Sequence, residues 1–99
     1  MILTTTDTIE DHNIKNYLGI VTGVDVSMPK TTLTFNMEKY YESYENKINL
    51  VKEEAFQKLK DNASKLGANA VVGIGIDVET LPSSGIIVVS VTGTAVTVV

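Results

Sequence analysis

The sequence predicts an α+β domain: a mainly antiparallel sheet with one long helix packed on one face. Three observations carry this expectation. The stretch Tyr44–Leu66 repeats apolar residues at spacings of three and four, the period of a helix face. Ala70–Leu81 and Ile86–Val98 are β-patterned runs joined through Pro82-Ser83-Ser84-Gly85. A further β-run, Ile14–Ser27, precedes the helix. With 99 residues, the chain makes one domain spanning 1–99.

The elements follow in order. Ile2–Thr5 is short, apolar and β-branched, which suits an edge strand. Thr6–Asn13 is polar and turn-like. Ile14–Ser27 alternates, with Leu18, Ile20, Val24 and Val26 on one side and Lys15, Tyr17, Gly19, Val21, Gly23 and Asp25 on the other. Gly19 and Gly23 inside that strand point to a bulge or to the close approach of another backbone. Met28-Pro29 ends the strand. Lys30–Ser43 has no clear period and is expected to be the most mobile part.

In the helix, Ile48, Val51, Ala55, Leu59, Ala63 and Leu66 form the apolar stripe, flanked by Leu50 and Phe56. Glu54 and Lys58 are spaced for an i,i+4 ion pair. Lys65 suits the negative end of the helix dipole, and Gly67 suits the left-handed position that closes a helix.

Matching like faces sets the hairpin register. Val72, Ile74, Ile76 and Val78 should share a face with Ile87, Val89, Val91, Gly93 and Ala95 beneath the helix. Ile76 should then lie beside Val89 or Val91. The opposite face would carry Gly73, Gly75, Asp77, Glu79, Ser90, Thr92 and Thr94. Glycines there leave backbone exposed, which favours close approach by another subunit or a ligand. The last strand is almost all Val, Ile and Thr; as an open edge it would invite aggregation, and association would cover it.

Composition narrows the function classes. The net charge is −4 with eight Lys and Arg, a poor footprint for nucleic acid. Tyr17, Tyr40, Tyr41 and Tyr44 have no basic interleaving to make a stacking platform. The chain has no Cys, which removes disulfides, thiolate nucleophiles and Cys-based metal sites. MILTTTDTIE lacks the basic and apolar regions of a signal peptide, and no apolar run is long enough for a membrane span. A soluble cytoplasmic protein is the default expectation. Gly73-Ile74-Gly75 lacks the third glycine and following helix of a dinucleotide site. There is no GK[ST] loop and no GxSxG elbow, and a triad would rest on His12 with Asp7, Asp11 or Asp25 at spacings that favour none of them.

Two constellations remain. Glu10-Asp11-His12 is the cluster with plausible ligands for a divalent transition metal, since imidazole and carboxylate suit zinc, nickel or copper. One tripeptide rarely converges on an ion, but a symmetric oligomer would bring copies together. Asp77 and Glu79 lie two apart on one strand face; paired carboxylates can hold a cation or act as a base, but a solvated face or a contact to a lysine of another subunit is the favoured expectation.

Gly19-Ile20-Val21-Thr22-Gly23, Leu66-Gly67-Ala68-Asn69-Ala70-Val71-Val72-Gly73, Asp77-Val78-Glu79-Thr80 and Val91-Thr92-Gly93-Thr94-Ala95-Val96 resemble, in order and spacing, the YbjQ family of small uncharacterised proteins. The resemblance implies a dodecin-like α+β subunit, assembly with copies of itself into a pentameric ring, and a heavy-metal-binding label without an established ligand set. On that basis Gly19, Gly23, Gly73, Gly75 and Gly93 are expected to serve backbone proximity, with Asp77, Glu79, Thr92 and Thr94 at the interface. Three functions follow as expectations: a homo-oligomeric binding or scaffolding protein, a metal-binding module using His12, Asp11 and Glu10, and, least favoured, an interface enzyme using Asp77 or Glu79.

Overall fold

The computed structural model describes residues 1–27 and 37–99, with side chains left out of account at 37–44. The chain runs β1 (Ile2–Leu3), β2 (Ile14–Ser27), α1 (Met37–Lys65), β3 (Ala70–Leu81) and β4 (Ile86–Val98). The strands form one mixed sheet in the order β1-β3-β4-β2. β1 is parallel to β3; the other two pairings are antiparallel. The expected mobility of 30–43 falls partly outside the described residues, while 37–43 belong to α1.

α1 extends seven residues before the expected start at Tyr44 and runs to Lys65. Val51, Ala55, Leu59 and Ala63 are buried against the sheet, with Ile48 and Phe56 half-buried beside them. Leu66 is exposed, because the chain has already left the helix. The helix closes as the glycine predicts. Gly67 takes φ +81°, its N–H donates to Ser64 O at 3.0 Å, and Ala68 N–H donates to Ala63 O at 3.1 Å. That reciprocal pair satisfies carbonyls the helix end would otherwise leave open.

The hairpin turn falls at Pro82–Gly85, where Ser84 and Gly85 N–H both donate to Leu81 O. Ile76 pairs with Val91, as the face-matching predicts. One part of that register is different. A bulge between Val72 and Gly75, with Gly73 at φ +62°, puts an extra residue in β3. Val72 is therefore turned away from Ile74. It packs with Ala70, Val96 and Val98 in a second small core, covered by Ile9 and Ile14.

Two further features were open in the sequence. β4 lies between β3 and β2, so the Val-rich C-terminal strand is interior; the sheet ends in β1 on one side and β2 on the other. The alternation of β2 sorts its residues into two sides without saying which one packs, and the structure decides it. Val21 and Gly23 are buried, whereas Ile20, Val24 and Val26 are exposed, Ile20 at 78%. The cause is helix proximity: a Cβ on Gly23 would lie 2.0 Å from Ala55 O and 2.7 Å from Leu59 N. The backbone of α1 rests on this glycine, and an alternation reading sees the glycine only as a gap.

Candidate functional site

α1 lies across β2 and β4 and barely touches β3. This offset creates two uncovered apolar regions. On the helix side of β3, Ile76 and Val78 are exposed at 49% and 40%. On the opposite face, Tyr17, Ile20, Val24 and Val26 stand exposed along β2. Thr22, Thr92, Gly75, Asp77 and Glu79 are also exposed, and Thr94 is half-buried. Asp77 sits across from Ser90, Gly75 from Thr92, and Ile20 from Thr94. The predicted polar face is real, but β2 adds large apolar side chains to it, from the side of the strand that holds Ile20, Val24 and Val26.

The glycines divide by local cause. Gly93 lies under crowded atoms: a Cβ there would meet Val71 Cγ1 at 2.6 Å and Ile74 Cγ1 at 3.0 Å. Gly23 lies against the helix backbone, as above. Gly19, at φ +122°, accompanies the register shift near Tyr17. Gly73 supports the bulge, with Asp7 Oδ1 at 3.5 Å from where its Cβ would be. Gly75 has nothing within 4 Å. Within one subunit, then, backbone proximity accounts for Gly23 and Gly93 only; Gly19, Gly73 and Gly75 meet no crowding there.

Glu10, Asp11 and His12 are exposed in a turn closed by His12 N–H donating to Ile9 O at 3.1 Å. Asp11 takes the left-handed backbone that this turn needs, at φ +63°. Among the described residues, no three His, Asp or Glu side chains gather to hold a metal ion. The tripeptide of one chain does not by itself form a metal site.

The charged cluster that does form was not anticipated. Lys58 makes its ion pair with Asp25 at 2.8 Å rather than with Glu54, and Lys58 Nζ also donates to Val24 O at 3.0 Å. One turn further along α1, Asn62 Nδ2 donates to Thr22 O at 2.8 Å. The Lys58 ammonium holds the Asp25 carboxyl below its usual range, against the desolvation that would raise it. Asp25 in turn raises Glu54 through a side-chain hydrogen bond and like charge. These contacts border a groove between β2 and α1 lined by Thr22, Gly23, Val24, Lys58, Asp61, Asn62 and Lys65. The legible signal was Asp25, a carboxylate set between Val24 and Val26 on the strand.

Among the described residues, these features define an α+β domain of one helix and four strands, with a tight core and apolar surfaces left open beside it. No helix among the described residues is long and apolar enough to cross a membrane. Over residues 1–99 the chain matches the model of the YbjQ family, described as "Putative heavy-metal-binding", and it belongs to that family. It is 37% identical to a UPF0145 protein of Corynebacterium jeikeium (strain K411), covering 98% of both chains. It is 36% identical to a UPF0145 protein of Actinobacillus pleuropneumoniae serotype 5b (strain L20), covering 99% of both. A crystal structure of a protein of unknown function from Pediococcus pentosaceus ATCC 25745, assigned to the DUF74 family, has a similar fold. Its TM-score is 0.75 at 22% identity, covering 100% of this chain and 98% of that one.

Proposed function

We propose that the chain is the subunit of a closed homo-oligomer that acts as a binding or scaffolding protein. Five copies in a dodecin-like ring is the arrangement that family resemblance suggests. The observation that carries the reading is the exposed apolar surface. Ile20, Val24 and Val26, with Thr22 among them and Tyr17 beyond the bulge, line one face of β2, and Ile76 and Val78 make a second region on the other face. Contiguous exposed apolar side chains mark interaction surfaces. The subunit is also extended. Its radius of gyration is 16.5 Å, against about 13 Å for a compact domain of this length. Association restores the burial that such a shape forgoes.

Sedimentation velocity of Ile20→Glu against the parent chain tests this. Ile20 is so exposed that the subunit should fold unchanged, while the assembly should shift toward smaller species. An unchanged sedimentation profile would remove the β2 stripe from the interface.

The family's description favours a second reading, a metal-binding module in the cytoplasm whose ligands come from several copies. In it, His12, Asp11 and Glu10 of neighbouring subunits share one divalent ion. Titration with zinc, nickel and copper should show saturable binding that His12→Ala abolishes. Binding retained in that variant would exclude the tripeptide.

A further inference from the structure

We propose that α1 guards the outer edge of β2 against strand addition by a second copy of this chain. β2 is the last strand of the sheet, paired on one side by β4. An edge strand presents unpaired N–H and C=O groups on its free side, and a long β-branched edge is a template for another strand. Here two carbonyls are taken by the helix: Thr22 O by Asn62 Nδ2 and Val24 O by Lys58 Nζ. The two acceptors are two residues apart, the spacing at which carbonyls of an antiparallel strand point to the same side. The two donors are one helical turn apart, which stacks them above that side. Asp25 anchors the lysine, so the guard is held by an ion pair on the helix-facing side of the same strand.

The chemistry suits an edge guard. Lys58 brings a positive charge to the strand, and half of its side chain stays in solvent. A second β2 arriving at this edge would have to displace both donors and desolvate that ammonium. The flanking Ile20 and Val26 are exposed and apolar, so the edge would be adhesive without protection. The occupant kept out is a strand of another copy. The guard is separate from the proposed ring: it limits growth at one edge whichever surfaces close the native assembly.

The test compares size distributions of the parent chain, Asn62→Ala, and the double variant Lys58→Ala/Asn62→Ala by light scattering over a concentration series. Circular dichroism confirms that each is folded. Asn62→Ala keeps the Lys58–Asp25 tie, so folding should be retained. The expected result is a severalfold rise in species larger than the parent's, greater in the double variant and growing with concentration. Adding Thr22→Pro to the double variant should return the parent distribution, because proline removes an outward N–H and blocks strand addition. Folded variants with the parent's distribution would overturn the proposal. So would a shift toward smaller species, or large species that persist with Thr22→Pro.

Discussion

The two halves of the sheet differ in how their glycines are used. Beneath α1, Gly23 and Gly93 are surrounded by atoms, and the neighbouring Leu59, Val71, Val91 and Ala95 are fully buried. On β3 beyond the bulge, Gly75 has open space around it, and Ile76 and Val78 are exposed. Two causes make the contrast: α1 lies over β2 and β4 and leaves β3 beyond the bulge uncovered, and Gly75 points to the sheet face away from the helix. The first region holds the subunit together. The second has no use for its small and apolar residues within one subunit, and that is why it reads as a contact surface.

Substitutions should separate the two regions, beginning with the largest effect. Gly23→Val places a side chain where a Cβ already meets Ala55 O at 2.0 Å. The helix must lift from the sheet, and the loss should exceed about 3 kcal/mol, beyond the usual overpacking cost. Urea unfolding measures it, and a loss under about 1 kcal/mol would show that α1 does not rest on this glycine. Next, Leu59→Ala removes a fully buried side chain and should cost about 2–5 kcal/mol. Val78→Ala, on the exposed half, should cost less than about 1 kcal/mol in the isolated subunit. Similar losses for the pair would erase the distinction.

Asp25→Asn should cost about 0.5–1 kcal/mol near neutral pH, because Lys58 is half in solvent and the pair is screened. The sign follows from the depressed carboxyl. Its stabilisation is complete above the ordinary value of 3.8 and fades as pH falls through the lower folded value. Glu54 runs the other way: it is raised, so its protonated form favours folding, and that contribution disappears as pH rises above its ordinary 4.5. Acid unfolding of parent and variant should therefore converge below 3.8. A gap that widens there would contradict the pairing. The smallest effect on the subunit belongs to Gly75→Val. Nothing lies within 4 Å, so folding stability should change by less than about 0.5 kcal/mol or rise slightly. Its effect should be on assembly, visible as a change in size by light scattering.

The sequence made some of this legible. The apolar stripe of α1, the Gly67 cap, the Pro82–Gly85 turn and the Ile76–Val91 pairing all follow from local chemistry. Three features did not. The inward face of β2 was not legible: alternation puts Ile20, Val24 and Val26 on one side and Val21, Gly23 and Asp25 on the other, and only helix contact reveals that the second side faces in. Gly73 interrupts the alternation of β3 and sends Val72 to the other side, which strict period-two counting cannot show. Lys58 was paired with its helical neighbour because local spacing is visible in sequence and the arrival of Asp25 is not. The metal expectation rested on adjacency in sequence: Glu10, Asp11 and His12 sit in one turn, but among the described residues no three such side chains converge on an ion.

The most direct test of the central claim is native mass spectrometry of untagged protein purified without chelator. A closed homo-oligomer gives one defined multiple of the 10.7 kDa chain, with five copies as the family resemblance suggests. A 10.7 kDa monomer that persists across concentration would contradict it, because the apolar stripes on β2 and β3 would then be solvent surfaces after all.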